Sequence, residues 1–503
     1  MKSALSELLT QIDSLIRLGE SAKAKTLLRN LPVRRIPTDS RKDLANCARR
    51  LNLPSLALRL LHPLVRPNGR RVQRGATPAE KAEYAGSLIR LGAIDEALEL
   101  LKQLPVADSP EVLLLESFAL FAEWNYRSAI VLLQQYVKSP HLTEYQRLVG
   151  NTNLAAALTY ENDDSALPLV SQLIAQADQG KWNVLSVNLR MMQAESAIAA
   201  GQYQFARDAL SVAHESVSED TLESLFIRKW KWVTELYANP NSSLAVEGVK
   251  EVREEAIRRN HWETVRNCDY HLAVATKDLI LFEKVYFGTP FESLKKRLRA
   301  QFPSVTELRD TYDWKCFPGN SPTQLNLFSP ERIRERVAGL SPGRVPYKLL
   351  QALCRDFYRP IRVASLHALL YPNEFFNPSS SPARVHQAIK RVRIWFAKNR
   401  LPLQITIAQG AYRLIATSPC TISIPQKNKF NTTTEYRIYC LYQVMSHKEF
   451  TARDAAKALK LNLWKTIRLL SAAVEKQTVT RTGKANQTKY RFVVVSASQL
   501  RAA

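Results

Sequence analysis

Glycine is scarce in this 503-residue chain, at 15 residues, and methionine scarcer still, at 4. Gly-rich loops that cradle phosphates are therefore few, and neither G-x-x-x-x-G-K-[ST] nor G-x-G-x-x-G occurs. H-E-x-x-H and the G-x-S-x-G nucleophile elbow are missing as well. Six cysteines (Cys47, Cys268, Cys316, Cys354, Cys420 and Cys440) are scattered, with no C-x-x-C and no other metal-ligand spacing. They read as reduced thiols, which sets the expectation of a cytoplasmic protein. The eight histidines are isolated from one another. His261 and His271 have no third ligand near them, so all eight are expected to be structural and hydrogen-bonded. No uncharged apolar run approaches the roughly 18 residues that a membrane span needs. The N-terminal MKSALSELLTQIDSLI carries Glu7 and Asp13 inside its apolar stretch and reads as an amphipathic helix rather than a signal peptide. No constellation supports catalysis, so the chain is expected not to be an enzyme and to use no cofactor or metal.

Charge is plentiful, and its distribution is uneven. There are 71 Lys and Arg against 46 Asp and Glu, a net charge of +25. Residues 329–503 hold 30 basic and 8 acidic residues, leaving 41 and 38 in the first 328. Nearly all the excess lies in the last third of the chain, the electrostatic footprint of a polyanion-binding region.

The first 285 residues are patterned for helices and repeat internally. A turn residue, four further positions, a small alanine and a Leu-rich stretch recur as LGESAKAKTLL (Ala24), LNLPSLALRLL (Ala57) and LGAIDEALELL (Ala97). The unit returns at Ala129, Ala166 and Ala206, with spacings of 33, 40, 32, 37 and 40 residues. A small residue lets two helices approach, and the leucines fill the groove against the next repeat. A helix pair cannot bury its apolar stripe alone, so stacking is required. This part resembles a degenerate tetratricopeptide array. Glycine occupies the turn at Gly19, Gly92 and Gly201 and is replaced elsewhere. The stretch 254–275 reads as a further divergent helix pair. Residues 286–328, rich in Pro and Gly, read as one or two helices and a linker, with TYDWKCFPGN a packing segment.

Residues 329–418 read as helix, short strand (Ile361 and Val363), helix (Leu366, Leu369 and Leu370), loop, helix and hairpin. The third helix is expected to start at Ser381 as N-cap with Pro382 at N1. Its stripe is Val385, Ile389, Val392 and Phe396. The pattern Ile389-x-x-Val392-Arg393-x-x-Phe396, followed by a hairpin ending Gly410-Ala411-Tyr412-Arg413-Leu414, resembles the winged-helix effector domain of bacterial response regulators. No receiver domain precedes it, so phosphorylation control does not carry over. With the stripe inward, Arg384, Gln387, Lys390 and Arg391 face out and Arg393 lies on the flank; Ile394 also faces out. Residues of these types at such positions read base edges in the major groove, and Arg413 on the wing joins them.

Residues 429–497 carry a second module. Thr451 caps a helix with Ala455-Ala456, and LNLWKTIRLLSAAVEKQ follows with Leu463, Ile467, Leu470 and Val474 expected inward. TARDAAKALKL and LNLWKTIRLLSAAV, with the returning strand Tyr490-Arg491-Phe492, resemble the helix-turn-helix and wing of bacterial winged-helix repressors. Trp464, Lys465 and Arg468 then face out, although Trp464 also suits burial between modules. The wing tip carries Arg481, Lys484, Asn486, Gln487 and Lys489, types that contact phosphate.

The expected architecture is therefore mainly α: a tetratricopeptide-like α-solenoid (1–285), a helical and linker segment (286–328) and two winged helix-turn-helix domains (329–418 and 429–497). The resemblances imply a transcriptional regulator that binds double-stranded DNA, with a protein or small effector on the repeats and no membrane partner. Such regulators often form homodimers. The alternative is a scaffold subunit or RNA-associated factor, since helical repeats also precede winged helices in multisubunit assemblies.

Overall fold

The computed structural model describes residues 2–17, 21–33, 36–67, 74–106, 109–305, 307–315, 323–325, 327–328, 340, 342–408, 410–425, 432–446, 448–484 and 487–493. Gly19, Cys316, His447 and Asn486 lie outside them. The fold is mainly helical with a few small sheets. It divides into two compact units: Met1–Thr306 with Arg355–His386 and Ile407–Arg413, and Glu307–Cys354 with Gln387–Thr406 and Leu414–Ala503.

The first unit is built of consecutive helix pairs. They are α1 (Lys2–Arg17) with α2 (Ser21–Arg29), α3 (Arg41–Arg50) with α4 (Pro54–Val65), α5 (Pro78–Leu91) with α6 (Ile94–Leu101), and α7 (Glu111–Ala122) with α8 (Tyr126–Val137). Next come α9 (Glu144–Glu161) with α10 (Ala166–Gln179), α11 (Asn183–Ala199) with α12 (Tyr203–Glu215), α13 (Leu222–Ala238) with α14 (Ser243–Arg258), and α15 (Trp262–Thr276) with α16 (Leu279–Phe287). A single helix, α17 (Glu292–Ala300), follows. Each helix packs on its neighbours in the chain, an α-rich solenoid arrangement. Ala24, Ala57, Ala97, Ala129, Ala166 and Ala206 all lie buried in the second helix of their pairs, where a larger side chain would hold the helices apart.

The turn between paired helices repeatedly takes a left-handed residue, at Asn52, Gly92, Trp124, Asn162 and Gly201. Asparagine replaces glycine with little strain, which is why the glycine signal fades along the chain. Trp124, at φ 57°, and Lys277, at φ 54° between α15 and α16, are neither Gly nor Asn and carry about 1–2 kcal/mol of backbone strain each. Two sequence readings are corrected. Residues 254–275 are not one pair: they span the end of α14 and most of α15. The pair before them, α13–α14, has buried Ala245 at the small-residue position and was overlooked because its turn has neither Gly nor Leu.

A later stretch of chain also belongs to this unit. Strand β3 (Ile361–Arg362) pairs antiparallel with β5 (Ala411–Ala416), Ile361 opposite Tyr412, and leads into α19 (Val363–Leu370). Val363, expected in the strand, opens the helix instead. Ala364 and Phe376 join the buried cluster that holds Leu88, Ala97 and Leu101. Ser365 Oγ donates to the Leu91 carbonyl at 3.2 Å, and the Phe376 N–H donates to Glu96 Oε2 at 2.8 Å. The boundary expected at 329 therefore does not separate the repeats from everything after it.

Two buried carboxylates extend this attachment. Asp356 takes both its oxygens to Arg266 Nη2, at 2.7 and 2.6 Å, and Arg266 is fully buried. Asp269 receives Arg253 Nε at 2.6 Å, Lys284 Nζ at 2.7 Å and the Tyr358 hydroxyl at 2.9 Å. Burial pushes the Asp269 carboxyl up, but Lys284 and Arg253 more than reverse this and hold it below its ordinary value.

In the second unit, β1 (Thr311–Lys315), β2 (Thr323–Leu325) and β6 (Cys420–Pro425) form a sheet in the order β1-β6-β2. β1 runs antiparallel to β6 and β2 parallel to it, with Ser423 Oγ donating to Asp313 at 2.6 Å and accepting from Gln324 at 3.2 Å. The segment expected only to pack, TYDWK, thus forms a strand that pairs with residues 110 positions further along the chain. The alternation of TYDWK and CTISI was the missed signal. Helix α18 (Val345–Leu353) completes this part.

Two stability measurements follow. Gly92, at φ 81°, has the Ser365 hydroxyl where a Cβ would stand, whereas Gly201, at φ 73°, has open space. Gly201→Ala is expected to cost about 1 kcal/mol of backbone strain, and Gly92→Ala clearly more, in urea unfolding. Asp269→Asn is expected to cost about 3 kcal/mol at neutral pH, because Arg253 and Lys284 lose a buried partner. A depressed carboxyl stabilises the fold above its unfolded value near 4 and loses that contribution as pH falls. The wild-type unfolding midpoint should therefore drop more steeply below about pH 4 than that of Asp269→Asn.

Candidate nucleic-acid interface

Helix α20 (Ser381–Lys398) buries Val385, Ile389, Val392 and Phe396, as the spacing predicts. Ser381 is the first helical residue rather than the cap. Its hydroxyl accepts from the Asn377 N–H at 2.9 Å, and Asn377 Oδ1 takes the Ser379 N–H at 2.9 Å in the preceding turn. The outward face carries Gln387, Lys390, Arg391 and an exposed Ile394. Lys390 and Arg391 make no ion pair with any described residue, so both cations stand free in solvent.

Three arginines expected to reach DNA are already engaged. Arg384 pairs with Glu374 through both guanidinium branches and lies 3.9 Å over the Tyr371 ring. Arg393 donates Nε and Nη2 to the Ile405 carbonyl, at 3.1 and 2.6 Å, which ties the helix to β4 (Leu403–Ala408). Arg413, on β5, lies 5.1 Å over the Trp262 ring; burial lowers its pKa, partly offset by Asp356. Helical and strand spacing gave the direction of each side chain but not its partner.

The 432–493 part opens with α21 (Thr433–Met445), then α22 (Ala452–Leu459) and α23 (Leu463–Glu475). Thr432 with Glu435, and Thr451 with Asp454, form capping boxes, and Asn462 Oδ1 accepts the Lys465 N–H at 2.9 Å. β7 (Val479–Thr482) and β8 (Lys489–Phe492) form an antiparallel hairpin. Phe450, Ala455, Leu469, Leu470, Ala473, Tyr490 and Phe492 share one core.

The stripe expected on α23 is shifted. Thr466, Leu469, Leu470 and Ala473 are buried, and Leu463 and Ile467 are exposed. Thr466 enters the core because its hydroxyl donates to the Asn462 carbonyl at 3.0 Å, which satisfies the group locally. Trp464 is 67% exposed, not buried, with Arg468 at 5.9 Å from its ring centre. Lys465 points to solvent. On the hairpin, Arg481 and Lys484 are exposed without an ion-pair partner among the described residues, while Lys489 lies 3.5 Å from Glu449. Arg491, opposite Thr480, is also exposed on the strand. Alternation along β8 marks it, and it extends the wing's basic face beyond the residues read from the sequence.

Among the described residues no group of His, Cys, Asp or Glu is arranged to hold a metal ion. The histidines are not all hydrogen-bonded as expected. His271 Nδ1 lies 3.2 Å from the Tyr237 hydroxyl, but among the described residues both ring nitrogens of buried His367 have no hydrogen-bond partner, nor does His271 Nε2. No family model matches the chain, and no curated protein matches it.

Stability should separate engaged from free arginines. Lys390→Ala and Arg391→Ala are expected to leave the unfolding midpoint unchanged within about 0.5 kcal/mol. Arg393→Ala should cost about 1–3 kcal/mol, because the Ile405 carbonyl loses a charged donor.

Proposed function

We propose that this protein is a DNA-binding transcriptional regulator. In this reading residues 343–416 and 432–493 act as two winged helix-turn-helix modules, and the helical repeats receive a protein or small effector. The observation that carries it is the set of exposed cations on α20 (Lys390, Arg391), on α23 (Lys465) and on the β7–β8 hairpin (Arg481, Lys484) that have no ion-pair partner among the described residues, in the region that holds most of the chain's positive charge. Solvated cations without local counter-charges are the groups that exchange condensed counterions for phosphate. The order helix, helix, helix, hairpin in 432–493 suits docking of the third helix in a major groove, with the wing on the backbone. Gln387, Lys390 and Arg391 present donors suited to base edges, whereas Arg384, Arg393 and Arg413 serve the fold. The function belongs in the cytoplasm, and a homodimer would match paired half-sites.

A protein-scaffold reading has one observation in its favour: Leu463, Trp464 and Ile467 form an exposed apolar strip on α23. Apolar strips of that kind mark protein contacts.

Binding to random duplex DNA decides between them. The regulator reading expects affinity to fall by about a thousand-fold or more between about 50 and about 200 mM salt. It also expects the salt slope to shrink by about one for each of Arg481→Ala and Lys484→Ala. A scaffold would show no preference for duplex over single strands and no effect of either substitution.

A further inference from the structure

The first unit contains a cavity of about 470 Å³ that the DNA-binding reading does not use. Its walls come from the α7–α8 turn, the end of α9, and α11, α13 and α15, and α17 closes one side. The size is that of a small-molecule site.

Aromatic rings form one wall. Tyr126 and Tyr160 stack at 4.0 Å between centres, and Trp124 meets Tyr160 edge-on at 5.6 Å. Trp124 is the residue that holds the left-handed turn position occupied by glycine in the α5–α6 and α11–α12 pairs. Strain of that kind collects at functional sites, and here it directs an indole to the cavity wall.

Some charges on the cavity wall are matched, Arg266 by Asp356 and Arg359 by Glu263, but Lys229 and Arg297 have no carboxylate in ion-pair contact among the described residues. Lys229 is 7% exposed, yet its ammonium meets only Asn267 Oδ1, at 2.8 Å, and the face of Trp230, at 3.7 Å. Burial lowers its pKa to about 8 despite the opposing charge of Glu195. Glu195 is near enough to be felt electrostatically, but the two form no ion pair, and burial raises the Glu195 carboxyl towards its neutral form. Arg297 has no carboxylate partner either; it lies 4.2 Å over the Tyr160 ring and 3.4 Å from Asn162 Oδ1. His271 is nine-tenths buried in the same wall, with Nε2 unpartnered. A buried ammonium with no carboxylate beside it, and a buried imidazole with one ring nitrogen on the Tyr237 hydroxyl and the other open, are costly unless a ligand completes them.

A larger cavity of about 910 Å³ lies between α12, α13 and α14 and differs in this respect. Its arginines are paired, with Arg207 donating to Glu235 at 2.7 Å and Arg228 and Arg259 both held by Glu255.

We infer that the Trp124–Lys229–Arg297 cavity binds a small planar organic anion, an aromatic carboxylate whose ring packs against the exposed edges of the Trp124, Tyr126 and Tyr160 cluster and whose carboxylate meets Lys229 and Arg297. It rests on the effector half of the reading above and is independent of the DNA-binding half. Glu195 and His271 Nε2 lie on the same wall, at the ligand's polar edge.

Calorimetric titration of the full chain, without DNA, tests this. The probes are 4-hydroxybenzoate, anthranilate and indole-3-acetate, each against its neutral carboxamide. At least one acid is expected to bind, with its amide weaker by about ten-fold or more, one lost charged contact of about 1.4 kcal/mol. Lys229→Met, which removes the ammonium but keeps the packing volume, should weaken the acid by about ten-fold or more and leave the amide unchanged. Met192→Trp, which fills the cavity from its wall, should abolish binding of both. Absence of binding by all three acids at about 1 mM, equal affinity for an acid and its amide, or an acid affinity unchanged by Lys229→Met would each overturn the proposal. Gel shifts with duplex DNA on the same preparation are read separately. An acid that binds a protein with no affinity for DNA leaves the cavity standing and removes the regulator.

Discussion

Two buried carboxylates organise much of the first unit. Asp356 locks Arg266 of α15 from a segment 90 residues away, and Asp269 gathers Arg253, Lys284 and the Tyr358 hydroxyl. Charges removed from water are tolerated only when paired and hydrogen-bonded, so this arrangement admits few alternatives. It fixes the chain at 355–359 against the seventh and eighth helix pairs. From there the chain reaches back to α5 and α6, where Ala364 and Phe376 enter the core. A chain that would otherwise be a row of local contacts thus gains contacts between residues far apart in sequence.

That attachment changes what the basic last third contributes. Part of it is structural: Arg362 donates to the Arg90 carbonyl, Arg384 holds Glu374, Arg393 holds a strand carbonyl and Arg413 covers an indole. An arginine with a partner retains its charge but does not release counterions as a free one does. The cations with no ion-pair partner among the described residues, on α20, α23 and the β7–β8 hairpin, form a smaller set than the composition suggests, and they support the proposed contact with phosphate.

The cavity in the repeats has the opposite character. Solenoid repeats bury alanines and leucines between helices, as Ala129, Ala157, Ala194 and Ala273 do in this unit. Within that apolar frame Lys229, Glu195, Arg297 and His271 are unusual, since a chain selected for packing alone would place apolar residues there. A site that holds unpaired charges in a solenoid core is a departure from local consistency, and such departures cluster at functional positions.

Much of the local structure was legible in the sequence, because local rules govern it. The buried alanines follow from helix spacing, the Thr451 cap from the Thr-x-x-Asp signature, and the Val385–Phe396 stripe from the 3.6 period. The shifted stripe of α23 was not legible, because Leu463 and Thr466 compete for the core and a local hydrogen bond decides in favour of the threonine. Nor were the partners of Arg384, Arg393 and Arg413, the pairing of 311–315 with 421–425, or the gathering of Glu195, Lys229, Arg297 and His271 from four helices. Periodicity says which way a side chain points from its own helix or strand. Only the folded chain decides what stands opposite it, because that depends on residues tens to hundreds of positions away.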